Sequence, residues 1–293
     1  MVRLPEHEHD RIFSDEITPD LFSEARSTDN PTCRIVGGAP GSGKSSMISL
    51  NAETGSVVII PDELRFYHPE YLGMLQKDPL KGFMGVLEDS DRWLEQIFSE
   101  TRNRSCSVLF ESTLRSLNWV KQDIQLFRSN DYKIQLDIAA APICVSALST
   151  ISRYQQQLQV FGFGRAVNLD GYVAKCTAVV DSIREAGRLG LIDSYRIFRN
   201  GHLVAEHDGN NPLEVADLVT EIYFEKLEGE QLVWFQEKLR ACQTNLDNPD
   251  SRLFRSQIKK VVDLFIDHNR SDKPHSLNTV ASDRTRAKHP TIS

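Results

Sequence analysis

The chain predicts an α/β fold: a mostly parallel sheet with helices on both faces, followed by a helical C-terminal extension. Three observations predict it. Short apolar runs alternate with helix-compatible runs from Cys33 to about Ala140, the mark of consecutive βαβ units. A glycine-rich loop, Gly38-Ala39-Pro40-Gly41-Ser42-Gly43-Lys44-Ser45, joins the first apolar run to the first helical one. Beyond Asn210 the pattern turns helical.

Taken in order, residues 1–31 are polar, with His7, His9, Asp10, Asp15 and Glu16, and read as a solvated leader. A metal pair at His7-x-His9 is the less favoured alternative. Thr18-Pro19-Asp20 leading into Leu21-Phe22 carries a helix start. Cys33-Arg34-Ile35-Val36 is the first strand and Lys44 to Asn51 the first helix of the main domain. Ser56-Val57-Val58-Ile59-Ile60 is a continuous run, as in parallel strands buried on both faces. Trp93, Leu94, Ile97 and Phe98 recur at helical spacing over 91–104. Ser107 to Phe110 is the third strand, Leu117 to Ser129 a helix, and Tyr132 to Ala140 the fourth strand. Helices are expected over 143–160 and 169–189. Tyr195–Arg199 and His202–His207 flank Asn200-Gly201, a type I′ hairpin signal. Three helices follow: Pro212–Leu227, Gln231–Cys242 and Leu253–His268. The domain plan is therefore a leader (1–31), a P-loop domain (32–228), a helical extension (229–270) and a disordered polar tail (271–293).

Composition narrows the function classes. A formal charge of −7 argues against a broad nucleic-acid face. Five scattered cysteines with no C-x-x-C pair favour core thiols in a reducing compartment over a disulfide frame or zinc site. No apolar run approaches the ~18 residues of a membrane span, and the N-terminus has no signal-peptide core. A cytoplasmic protein is expected.

The loop fits G-x-x-x-x-G-K-[ST], the P-loop, in the required strand-to-helix setting, and the expected fold is P-loop NTPase- or kinase-like. Glycines let backbone N–H groups turn around phosphate oxygens, and the helix N-terminus adds partial positive charge. Lys44 reaches the β- and γ-phosphates and the Ser45 hydroxyl ligates Mg²⁺. Gly38, Ala39, Pro40, Gly41, Ser42, Gly43, Lys44, Ser45 and Ser46 form the nucleotide-binding set. No N-K-x-D segment marks a guanine-specific switch, and no H-R-D loop marks a protein kinase.

Asp62 falls on the rim where ligands bind in open α/β sheets. It is a candidate general base for an acceptor hydroxyl, or a helix N-cap, or both. Glu111 ends the third strand at the same rim and suits Mg²⁺, through water, or substrate hydroxyls; an exposed strand-end acid is the alternative. Arg153 and Arg165 flank Phe161-Gly162-Phe163-Gly164. That is the composition of a glycine-hinged lid carrying guanidinium groups to a transferring phosphoryl, although each arginine alone suits an exposed surface.

In chain order, the P-loop, Asp62 with Arg65-x-x-His68-Pro69-x-Tyr71, Phe110-Glu111-Ser112-Thr113-Leu114-Arg115-Ser116, Tyr132 to Leu136, Arg153-Tyr154 and Gly164-Arg165 resemble the zeta toxin family of small-molecule kinases. The resemblance runs from about Arg34 to His207. It implies an ATP- and Mg²⁺-dependent phosphotransferase acting on a sugar-nucleotide hydroxyl, such as that of UDP-N-acetylglucosamine. It also implies the toxin of a toxin–antitoxin pair, with an antitoxin protein as partner. Carried over, Lys44 and Ser45 bind phosphate and Mg²⁺ and Asp62 is the base. Arg65, Glu111, Thr113 and Arg115 face substrate, and Arg153 and Arg165 stabilise the moving phosphoryl group. Two positions depart from the family pattern. Ser112 replaces its usual glycine, and Asn168-Leu169-Asp170-Gly171-Tyr172 stands where it often has His-Asp. The alternatives are a kinase of another small-molecule, nucleotide or dinucleotide hydroxyl, and a nucleotide-binding module without catalysis.

Overall fold

The computed structural model describes residues 3–244 and 251–270. Among the described residues six strands form one sheet: β1 (Thr32–Gly37), β2 (Val57–Ile59), β3 (Val108–Ser112), β4 (Lys133–Ala139), β5 (Ser194–Arg199) and β6 (His202–Asp208). Their order is β2-β3-β1-β4-β5-β6. Every pairing is parallel except β5 with β6. The Asn200-Gly201 turn has φ of 50 and 80, both positive as a type I′ turn requires.

Helices cover both faces, as expected. One face carries Val36, Leu109, Ala139 and Phe198 against Met47 and Ile48 of α3 (Lys44–Asn51). The other carries Ile35, Phe110, Ile134, Leu136 and Ile197 in the main core. There, Phe98 of α6 (Leu87–Asn103) packs edge-on against Phe110 and against Phe127 of α7 (Leu117–Arg128). To keep labels in chain order, α1 is Glu6–Ile12, α2 Thr18–Phe22, α4 Pro61–Leu64 and α5 Tyr71–Lys77. The later helices are α8 (Ile143–Phe161), α9 (Tyr172–Arg188), α10 (Pro212–Phe224), α11 (Gly229–Thr244) and α12 (Ser251–Arg270).

One charged cluster breaks the apolar pattern of the α3 face. Arg34 on β1 is 4% exposed and donates to Asp137 on β4 at 2.9 Å. Arg196, opposite Asp137 on β5, donates to both carboxylate oxygens at 2.9 and 2.7 Å. Arg34 also donates to the Asn51 carbonyl at 2.8 Å. A buried cation thus meets the last carbonyls of α3, where the helix dipole favours it. The helix whose other end carries the P-loop is tied to the sheet.

The first stretch corrects the solvated-leader expectation. Leu4, Ile12, Ile17 and Phe22 are buried in the main core. His9 is buried too, stacked on Trp93 at 5.0 Å, whereas His7 is exposed, so the two rings do not form a metal pair. All five cysteines are buried and free, as expected. The C-terminal helices pack on α8: Phe254 stacks on Tyr154 at 5.1 Å, and Gln155 Nε2 donates to the Cys242 carbonyl at 2.9 Å. Among the described residues no helix is long and apolar enough to cross a membrane. The expected tail, 271–293, lies outside the described residues.

Candidate active site

β1 delivers the chain into the P-loop at Gly38, whose φ is 146. A Cβ there would lie 2.4 Å from the Ala139 carbonyl oxygen, so only glycine fits the approach to β4. The Tyr172 hydroxyl reaches the Pro40 carbonyl and anchors the loop from α9. Lys44 opens α3 and is buried, with Nζ donating to the Gly38 and Ala39 carbonyls at 2.9 and 3.0 Å. Burial pushes the Lys44 ammonium below its usual range, against the pull of Glu111 and Asp62. Ser42 Oγ is buried without a hydrogen-bond partner. Ser45 and Ser46 are exposed on the first turn of α3, which contains no acidic residue. A backbone cradle, an ammonium, an orphan hydroxyl and an uncompensated helix N-terminus fit a polyphosphate.

β3 runs on to Ser112, so strand alternation fixes the direction of Glu111. It pairs with Val36 and continues the face that carries Leu109, the face on which α3 packs. Its Oε1 lies 3.5 Å from Lys44 Nζ. The chain then turns at Leu114, a buried residue at φ 47, and presents Thr113 and Arg115. Arg115 is exposed and donates to Thr113 Oγ1 at 3.3 Å.

Asp62 is the second residue of α4, after Pro61. It makes no side-chain cap; Ile60 occupies the N-cap position. The carboxylate instead meets two guanidinium groups, Arg65 at 2.5 Å and Arg165 in a very short contact. Crowding by protein atoms pushes the carboxyl up. Arg165, Arg65, Arg153 and Lys44 outweigh that and hold it below the usual carboxylate range. Glu63, beside it, is pushed up by burial and by the Glu111 and Asp62 charges.

Arg153 is exposed on α8, and its charge acts on both Lys44 and Asp62. α8 ends at Phe161, Gly162 turns left-handed, and Arg165 lies in the loop before α9. That loop is tied down along its length. Gln157 Oε1 accepts the Arg165 N–H, the Pro79 carbonyl the Ala166 N–H, and Gln257 Oε1 of α12 the Leu169 N–H, each at 3.0 Å.

Lys44, Glu111, Asp62, Arg65, Arg153 and Arg165 thus share one electrostatic neighbourhood, whereas Arg115 stands on its outer loop. Sequence reasoning missed Phe83. Its ring lies 4.4 Å below the Arg165 guanidinium and 5.1 Å below that of Arg65. Gly82 and Gly85 around it were the available signal.

Comparison with known proteins fits this arrangement. The profile described as "Zeta toxin" matches residues 15–211. The chain is 24% identical over 222 residues to the toxin PezT of Streptococcus pneumoniae, covering 73% of this chain and 88% of PezT. It is 34% identical over 141 residues to the toxin zeta of Streptococcus agalactiae, covering 46% of this chain and 48% of that protein, about half its length. A structure from work on the PezAT chromosomal toxin–antitoxin system of S. pneumoniae superposes with a TM-score of 0.73 at 21% identity, over 85% of this chain and all of that one. The AvrRxo1-ORF1:AvrRxo1-ORF2 structure with sulphate ions superposes with a TM-score of 0.54 at 15% identity, over 90% and 89%. The fold is thus P-loop kinase-like, and the family model covers well over half of the residues: the chain belongs to the zeta toxin family.

Proposed function

We propose that this protein is an ATP- and Mg²⁺-dependent phosphotransferase that moves the γ-phosphate to a hydroxyl of a sugar nucleotide, with UDP-N-acetylglucosamine the acceptor to test first. The carrying observation is the convergence of a P-loop lysine with a carboxylate held ionised by arginines. Phosphoryl transfer needs positioning and charge stabilisation more than covalent chemistry, and those are what this set of groups provides.

The residues divide the work. Lys44 and the loop N–H groups hold the phosphates. The Ser45 hydroxyl and the Glu111 carboxylate, the latter through water, are hard oxygen donors suited to Mg²⁺. When bound, Mg²⁺ neutralises charge on the β- and γ-phosphates. Asp62 accepts the proton of the acceptor hydroxyl. Arg165 and Arg153 stabilise charge on the transferring group. Arg65, Thr113, Glu111 and Arg115 orient the acceptor. Family membership and the toxin–antitoxin system of the S. pneumoniae relative support a toxin role and an antitoxin chain as partner.

Incubating the purified protein with γ-labelled ATP, Mg²⁺ and a pool of sugar nucleotides, nucleotides and dinucleotides tests this directly. Mass spectrometry should find one phosphorylated sugar nucleotide. Asp62→Asn should slow its formation roughly 10²–10⁴-fold while ATP still binds. Label found only on another class of hydroxyl would displace the acceptor. Unimpaired transfer by Asp62→Asn would displace the base.

A further inference from the structure

Two like-charged guanidinium groups converge on one carboxylate here, which leaves one positive charge unbalanced. Arg65 and Arg165 both reach Asp62. The Nε atoms of both arginines are buried without a hydrogen-bond partner. Besides Asp62, both side chains share the ring of Phe83, whose centroid is 4.4 Å from the Arg165 guanidinium carbon and 5.1 Å from that of Arg65. Both distances fall within the ~6 Å over which an aromatic face attracts a cation. The ring's negative face adds to the Asp62 carboxylate in offsetting the repulsion between the two cations.

The local chain fixes the ring's position. Phe83 lies in a 3₁₀ turn, Gly82–Val86. A Cβ on Gly82 would lie 2.4 Å from the Met74 carbonyl oxygen, and one on Gly85 2.4 Å from Met74 Sδ. The turn therefore lies flat against α5. Phe83 packs on a small separate cluster of Tyr71, Leu75 and Val86, beside the Asp62–Arg65 segment and away from the main core.

We infer that Phe83 is a positioning residue, an aromatic platform that aims Arg65 and Arg165 at Asp62; the role rests on the phosphotransferase reading above. It acts through the arginines and needs no contact with substrate.

Replacing Phe83 with Leu, with Tyr and with pentafluorophenylalanine separates the ring's electrostatics from its bulk. Leu and the fluorinated ring fill the site without a negative face, and Tyr keeps the face. In Phe83→Leu and in the fluorinated protein, the transfer rate should fall roughly 5- to 30-fold, the span of one desolvated cation–π contact. The nucleotide KM should stay unchanged. The Asp62 carboxyl, followed by ¹³C NMR, should titrate at higher pH than in the parent. Phe83→Tyr should recover most of the rate. Fluorinated protein with parental rate and parental Asp62 titration would overturn the platform, as would Phe83→Tyr as damaged as Phe83→Leu. The titration needs no turnover. If the parent protein transfers no phosphate, the function falls while the Asp62 shift still decides the role of Phe83.

Discussion

Asp62 is governed by charge more than by burial. Its side chain is 49% exposed, so each of its arginine pairs contributes only ~0–1 kcal/mol to stability. Their effect falls on protonation, because four cations outweigh the crowding that would raise the carboxyl. In its proposed role as general base Asp62 must be ionised, so activity should persist to a pH below the usual carboxylate value and disappear as pH falls through the depressed one. Arg165 supplies the largest of those opposing charges. Arg165→Gln lets the carboxyl rise, which moves the acid limb of the pH–rate profile to higher pH. Under the proposed function it also removes a guanidinium from the transferring phosphoryl group, a loss of roughly 10³-fold in kcat. The profile of Arg165→Gln against the parent checks both effects. An acid limb that stays in place would mean that another group titrates. Most of this site was legible residue by residue, because the P-loop and the Asp62, Glu111 and Arg165 segments each carry local patterns. Phe83 was not, since its role comes from what stands above it.

At the scale of elements, the sheet and the P-loop helix act as one unit through Asp137. This carboxylate is fully buried and accepts from Arg34 and Arg196. Breaking a buried pair by removing one partner leaves uncompensated charge at ~3–5 kcal/mol. Asp137→Leu removes the buried partner of Arg196 and leaves Arg34 only the Asn51 carbonyl and Glu53, and should cost that range. Arg34→Met should cost less, because Arg196 still satisfies Asp137, but it frees the Asn51 carbonyl at the end of α3. Urea unfolding curves of the two variants test that order. Nucleotide affinity should drop in both, since the loop at the far end of α3 loses its footing. Equal costs would mean that Arg196 contributes nothing. The strands themselves were readable, because buried parallel strands appear as continuous apolar runs. The short helix α5, seven residues long, was not, and α4, four residues long, showed only as a helix opening at Asp62. Segments that short hold their shape through tertiary contacts and leave little periodic signal.

The whole molecule is held partly by a segment whose composition suggested solvent. Between Phe13 and Ile17 the backbone winds as a π-helix, so the buried residues Ile12, Ile17 and Phe22 fall five apart in sequence. That spacing matches no 3.6-residue period and hides an apolar stripe among charges. Once folded, the segment clamps the chain that follows Asp62 and the helix α6. The Leu4 N–H donates to Asp89 at 3.0 Å, and His68 Nε2 lies 3.3 Å from the same carboxylate oxygen. Tyr67 donates to Asp20 at 2.7 Å, and Trp93 Nε1 donates to the His9 carbonyl at 3.1 Å. Burying Leu4, Ile12, Ile17 and Phe22 contributes about 1.5–3 kcal/mol each. Together that is comparable with the ~5–15 kcal/mol that separates folded from unfolded domains. Deleting residues 1–22 should therefore abolish a cooperative thermal transition. Trp93, 0% exposed in the intact protein, should become solvated and shift its emission to the red. None of these contacts involves a P-loop residue, so the loss travels through the shared core and not through a broken nucleotide site. Saturating ATP should fail to restore the transition. A truncated protein that melts at the parent's temperature with unshifted emission would make the segment an adherent leader, as its composition first suggested.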